Sequence, residues 1–505
     1  MEESQPLLRQ ISEPRHPTIN DPRVDFDPDW DPENPLDWPK TYKLCIVSLL
    51  ALMAFTVTFT CVGLVPVADR IVHDLEGEEN RSASILLVTV WELGEACGPL
   101  LIAPLSEIYG RYPAFNVANL FFIIGVVLAA LSPTTSLLIF ARFLTGFAVA
   151  SNVLNPAIIG DIFPSHSRGS GMSLVMLAPL VGGAIGPALS GVIAESLGWR
   201  TILWMSAIIA ICCETLFFVF FRETYKVVIL QRRAARLRAE TKDESFKCAW
   251  ESKEAATQLY WETVRDSIQR PMLMMWKSRV LKIMAFYGAM IFTFYYVLAT
   301  TLPGILRERY AFSPAWTGYS FLSFSIGATA GIIICNLFLD RLYTFLGRKS
   351  GSHDVDGTPH PENRLPFLIF GALLMPITIF FYGFIPSLHS PSSQSNPLSL
   401  SISLFLITVA LQGFFLLIIS VSLASYIVDA FGLYSASAMT IVLIVRCLAG
   451  TVLPLCIPPL ENALGLGGGF AVLAGISLVL VPLPGVVWWW GESWRGKEIE
   501  GEGLE

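Results

Sequence analysis

The chain has 505 residues, 53% of them hydrophobic and only 15% charged, with a mean hydropathy of +0.57. A soluble domain carries about 25% charged residues, so water is not the solvent for most of this surface. A leader on a soluble body is excluded too, because apolar runs of spanning length recur from Lys43 to Trp490. A net charge of −7 with only one local basic cluster excludes a nucleic-acid surface.

Residues 1–41 are polar, with ten Asp/Glu against four Lys/Arg and no apolar core of a cleaved leader, so the first span is expected to start insertion itself. Val24 to Pro39 is rich in Asp and Pro and reads as extended. Twelve apolar runs follow, at 43–68, 83–105, 114–131, 136–162, 171–194, 201–221, 280–302, 316–339, 365–386, 399–428, 435–460 and 469–490. Spans of about 20 residues each account for that length. The predicted organisation is an all-α polytopic membrane protein with twelve transmembrane helices. A tail (1–41) precedes six spans (42–221), a polar linker (222–279), six more spans (280–490) and a short tail (491–505).

Basic residues set the expected orientation. With both termini cytoplasmic, 25 of the 34 Lys and Arg fall in inside segments and 5 in outside loops. In the linker, Leu230, Ala234 and Leu237 share one side of a basic helix. That helix suits the surface of an anionic leaflet, or serves only as a positive-inside anchor.

Eight of nine cysteines lie in apolar segments and the six histidines are scattered, so neither a disulfide framework nor a metal site is expected. Ionisable groups at lipid depth are costly unless they face protein or water. Arg142 in span 4 is one; Glu92 and Glu95 in span 2 and Glu214 in span 6 are the candidate acids. Glu92 is the deepest in its run and the first choice for a proton site, with Glu95 one turn away and able to share it. Asp69, Asp161, Asp429 and Glu461 fall at span ends, where solvated or capping roles are expected. In span 7, Tyr287 shares a face with Ile291 and Phe294, and Tyr295 and Tyr296 share another with Phe292. With Asn152, Asn155 and Gln412 they are candidates to line a central cavity for planar, amphipathic ligands, although core packing accounts for any single ring.

Three local patterns stand where they bear on one another. Gly98-Pro99-Leu100-Leu101-Ile102-Ala103-Pro104-Leu105-Ser106-Glu107-Ile108-Tyr109-Gly110-Arg111 joins spans 2 and 3, Ala141-Arg142-Phe143-Leu144-Thr145-Gly146 lies in span 4, and Gly182-Gly183-Ala184-Ile185-Gly186-Pro187-Ala188-Leu189-Ser190-Gly191 lies in span 5. Together they resemble motifs A, B and C of the major facilitator superfamily in the form of the fungal twelve-span drug:proton antiporters. Asn34-Pro35-Leu36-Asp37-Trp38-Pro39-Lys40 and Glu223-Thr224-Tyr225 resemble the same branch. The sequence departs from the family pattern at Ala103, Glu107, Tyr112 and Ser190.

The resemblance implies two six-helix bundles that rock about a midplane site. It implies a gating role for Glu107, Gly110 and Arg111, proton coupling through Arg142, and an antiporter-type span 5 built on Gly182, Gly186, Pro187 and Gly191. The implied activity is proton-coupled export of drugs, toxins or fungal secondary metabolites by a monomer in the plasma membrane. No Gly-x-x-x-x-Gly-Lys-Ser/Thr loop is present, so ATP hydrolysis and cofactors are not expected. The alternatives are nutrient uptake by proton symport, a membrane enzyme, for which the isolated histidines offer no constellation, and a non-transporting sensor. Glu3 to Leu8 has the spacing of a dileucine sorting signal toward a vacuolar membrane, and Asn80-Arg81-Ser82 is a glycosylation sequon close to the bilayer.

Overall fold

The structure, a computed structural model, describes residues 23–27, 30–164, 168–242, 246–248, 265, 269, 272–350, 360–388 and 400–501. The dileucine-like segment lies outside the described residues, as does the side chain of Asn152. Spans 1 to 3 are Lys40–Gly63, Arg81–Ile108 and Arg111–Leu131. Span 4 is broken into Thr135–Phe147 and Ser151–Ile162, and Pro156 removes a further ladder donor from its second half. Spans 5 to 10 are Arg168–Ser196, Trp199–Phe220, Arg279–Tyr310, Pro314–Ser350, Leu365–Leu388 and Leu400–Phe431.

Among the described residues, ten helical stretches are long and apolar enough to cross a bilayer. Span 4 is not among them because of its break, and the last stretch, Ser435–Arg495, contains two crossings. Span 11 is Ser435–Val452; a short helix begins at Ile457, and the chain turns at Gly465 (φ 70°, ψ 172°) into span 12, which continues through Pro482–Gly501. Twelve crossings result, with both described chain ends on one face, here called the tail face; the opposite one is the far face. Span 8, at 37 residues, is about 55 Å long and must project beyond a bilayer core of about 30 Å.

Outward-facing rows such as Val117, Leu120, Phe121 and Ile124 on span 3 are exposed, whereas Phe115 and Phe122 on the same helix are buried. Exposed apolar surface on that scale belongs against lipid. Phe115 stacks on Phe217 of span 6 at 4.7 Å between ring centres.

The tail does more than extend. Asn34 caps a turn at Pro35–Asp37, accepting from the Leu36 N–H at 3.2 Å, and the Lys43 ammonium donates to the Leu36 carbonyl at 2.7 Å. Arg23–Val24 pairs in parallel with Lys247–Cys248. The linker helix, Lys226–Thr241, buries Leu230 and Ala234 against Val24 and Cys248, with Phe26, Leu237 and Phe246 packed around them. Arg233 reaches Asp31 at 2.5 Å and Arg236 reaches Glu33 at 3.1 Å. The apolar stripe that suits a leaflet is therefore covered by the chain's own tail, which supplies both the apolar partner and the carboxylates.

Candidate functional site at the seam between the halves

Arg142 lies about two turns into span 4 and is 1% exposed. Its guanidinium donates to the carbonyls of Thr60, Cys61 and Leu87 at 2.8, 2.6 and 3.3 Å, and lies 4.7 Å from the centre of the Trp91 ring. Span 1 ends at Gly63, so Thr60 and Cys61 are among the last four residues of a helix, whose carbonyls lack intrahelical partners and carry the negative end of its dipole. Arg142 thus caps span 1. Its hydrogen bonds, among the described residues, go to carbonyls and to no carboxylate.

The acids of span 2 look the other way. Thr89, Glu92 and Glu95 recur every three residues and so share one helix face, which meets spans 7 and 11. The Thr89 hydroxyl donates to the Thr451 carbonyl, and the Thr451 hydroxyl to the Thr89 carbonyl, both at 3.2 Å. The Tyr296 hydroxyl donates to Glu92 Oε1 at 2.5 Å, while Glu92 Oε2 is buried without a hydrogen-bond partner. Glu95 pairs with Arg446 of span 11 at 3.7 Å. Arg446 lies 4.0 Å from the centre of the Phe292 ring, and its buried Nε has no hydrogen-bond partner. Tyr295 packs within 5.1 Å of both Tyr296 and Phe324.

Not every candidate joins this cluster. Glu214 accepts from the Asn119 amide at 2.7 Å between spans 3 and 6, inside the first half. Gln412 donates to the Thr378 carbonyl at 3.3 Å inside the second. The Tyr287 hydroxyl and Asn155 Oδ1 are buried without hydrogen-bond partners.

Toward the far face the halves are closed. Arg81 bridges Glu308 and Glu461, the latter at 2.9 Å, and Arg307 reaches Glu79 at 2.5 Å. The Ala315 N–H donates to Glu195 at 3.1 Å. Spans 5 and 8 touch through reciprocal glycines: a Cβ on Gly191 would sit 2.3 Å from the Pro314 carbonyl oxygen, and one on Gly318 would sit 2.3 Å from that of Pro187. Gly182 and Gly186 instead face span 1, near the Phe55 carbonyl and Val62.

At the tail face, Gly110 (φ 104°) turns the chain so that the carboxylate of Glu223 accepts from the N–H groups of Arg111 and Tyr112, at 2.8 and 3.3 Å. This carboxylate occupies the positive end of span 3. The Arg111 side chain goes to Asp161 at 3.3 Å and Ser106 at 2.6 Å, over the Tyr225 ring. Glu107 is exposed; burial, with the charge of Glu107 adding to it, pushes the Tyr225 hydroxyl above its ordinary pKa. The second half repeats the arrangement: Arg364 before span 9 pairs with Asp340 at 3.0 Å and with Asp429, and Arg495 grips Glu362 through two bonds at 3.0 and 2.7 Å.

Sequence reasoning singled out Arg142 but passed over Arg446, which stands out by the same sign, an arginine inside an apolar run. It had no means of assigning Glu223 to span 3 or Thr89 to Thr451, since those pairings are 112 and 362 residues apart.

Comparison with known proteins agrees with this architecture. "Efflux pump radE" of Floropilus chiversii is 31% identical over 484 residues, covering 96% of this chain and 86% of that protein. "MFS-type transporter penM" of Penicillium rubens is 31% identical over 481 residues, covering 94% and 90%. Among solved structures, a D-xylose-proton symporter superposes with a TM-score of 0.62 at 15% identity, covering 89% of this chain and 97% of that one. The partially occluded inward-open xylose transporter XylE from E. coli gives 0.60 at 15% identity, covering 89% and 98%; both likenesses concern the fold. The sequence profile of the Major Facilitator Superfamily matches residues 44–454. A twelve-span chain in two halves, with Glu92, Glu95 and Arg446 meeting at their seam, is thus a member of the major facilitator superfamily, a multi-pass membrane transporter of small molecules rather than an enzyme.

Proposed function

We propose that this transporter is a proton-coupled exporter of small amphipathic organic compounds, working by alternating access in the plasma membrane with both termini cytoplasmic and as a monomer. The observation that carries the reading is the Glu92 carboxylate, held across the seam by Tyr296 with one oxygen unpartnered. Ionised, it forms a charge-assisted bond, about twice as strong as a neutral one. A proton on Oε2 weakens that bond and the attraction to the cation of span 11, so the empty, unprotonated carrier is held closed toward the far face. A proton or a ligand in the cluster releases it, and mutual exclusion of the two gives exchange. The gating roles of Glu107, Gly110 and Arg111 and the ligand-lining roles of Tyr295, Tyr296, Tyr287, Asn155 and Gln412 belong to the same reading. Support for export comes from the relative named an efflux pump.

The test is transport of a panel of fluorescent amphipathic compounds in proteoliposomes under an imposed pH gradient. Export predicts movement against the direction of proton flow and loss of coupling in Glu92→Gln. Movement of compound together with protons establishes uptake instead.

A further inference from the structure

Two arginines lie at membrane depth beside span 2, and they stand in different relations to the seam. Arg142 belongs to the same half as both acids and is enclosed by the Thr60, Cys61 and Leu87 carbonyls and the Trp91 face. Whatever field it exerts on Glu92 travels with Glu92 when the halves rock. Arg446 belongs to the opposite half. It is 3.7 Å from Glu95, its side chain is 30% exposed, and its Nε is unpartnered.

Among the described residues, thiols and phenols also stand near the acid pair. Span 11 also presents Cys447, span 7 presents Tyr295 and Tyr296, and span 1 presents Cys61. Across the seam, Arg446 is thus the cation that the facing half brings to these two carboxylates, one helical turn apart.

We propose that Arg446, rather than Arg142, is the positioning cation that makes the proton affinity of the Glu92–Glu95 pair depend on whether the seam is open or closed. The proposal rests on the reading of Glu92 as the proton site and adds the device that gives the proton a direction. With the seam closed, as here, Arg446 stabilises the carboxylates and expels a proton toward the tail face. When the seam parts toward the far face, Arg446 moves away with its own half, the acids are left without their cation, and a proton enters from that side. Linkage makes the effect reciprocal: a proton on the pair favours parting of the seam. A cation fixed to the same bundle as the acids has no such switch.

The experiment is an infrared pH titration of the protonated-carboxyl band of the purified full-length protein in lipid nanodiscs, with Glu92→Gln and Glu95→Gln assigning the band. An opposite charge at this range moves a carboxyl by about one pH unit or more. Arg446→Gln is therefore expected to raise the midpoint by at least about one unit, a tenfold gain in proton affinity. Arg446→Lys is expected to restore it, and Arg142→Gln to leave it in place. Arg446→Met, apolar and of similar length, carries the same test if the glutamine variant does not fold. A midpoint unmoved in the Arg446 variants, or moved equally by Arg142→Gln, overturns the proposal while the proton site stands. A band that persists in the Glu92→Gln, Glu95→Gln double variant removes the proton-site reading and this inference with it.

Discussion

The hydroxyl of Tyr296 donates to Glu92 at 2.5 Å across the boundary between the two halves, joining residues 204 positions apart. Removing only that hydroxyl tests the contact without emptying the site. A hydrogen bond to a charged group contributes about 1.5–3 kcal/mol, so Tyr296→Phe is expected to slow pH-driven flux about tenfold or more while the protein remains folded. Flux in proteoliposomes, beside a thermal-unfolding control, checks this; unchanged flux removes Tyr296 from the coupling site.

Arg142 is expected to act first on stability. Its guanidinium satisfies three backbone carbonyls, and each buried polar group left unpaired costs about 1–3 kcal/mol. Arg142→Gln, which reaches at most part of this set, should destabilise the first half by about 3 kcal/mol and expose the end of span 1. Thermal unfolding in detergent, with thiol labelling of Cys61, reads both effects. Wild-type stability would contradict the capping role.

Gly110 is the residue on which the tail-face clasp turns. Its backbone (φ 104°, ψ 162°) is a region that other residues enter at a cost of about 1–3 kcal/mol, and a Cβ there would sit 2.0 Å from Glu223 Oε2. Gly110→Ala should therefore lower the unfolding temperature and displace Glu223 from the start of span 3. Glu223→Gln, which keeps the shape and loses the charge, should have a smaller effect of about 1 kcal/mol or less. Equal stabilities for the two variants would show that the backbone strain carries no weight.

Asp31 gives the tail a pH dependence of known sign. Burial pushes its carboxyl up, but hydrogen bonds from the Glu33 amide, Arg233 and the Asp27 amide outweigh this and hold it below the ordinary value of 3.8. Because the docked value lies below the undocked one, the stabilisation is complete above that ordinary value and is lost as pH falls through the docked value. Tail docking should therefore persist through neutral and mildly acidic pH. Cys248, buried beneath the tail, reports on it: its reaction with a dipyridyl disulfide, which attacks thiols in acid as well as at neutral pH, should rise only in strong acid, whereas Asp31→Asn should raise it already at neutral pH.

Much of this was legible without coordinates, and the reasons are physical. A run of apolar residues long enough to cross a bilayer has no other stable solvent, so the twelve crossings, the polar linker and the lipid-facing surface follow from the order of residues. The glycines of span 5 were visible as a pattern, but that Gly191 meets span 8 while Gly182 and Gly186 meet span 1 was not. The break in span 4 was not legible, because its residues are as apolar as those of a continuous helix.

What the sequence determined alone was which groups are too costly to leave in lipid: Arg142, Glu92, Glu95, Glu214 and, unremarked, Arg446. It did not determine their partners, because a side chain at membrane depth is equally well satisfied by a carboxylate, a phenol or the open end of a helix. Only the packing of twelve helices decided that Arg142 closes the end of span 1, that Glu214 stays with Asn119, and that Glu92 and Glu95 meet a tyrosine and an arginine from the opposite half. Charge burial is a local property of the chain, whereas charge pairing depends on which helix faces arrive at the same place.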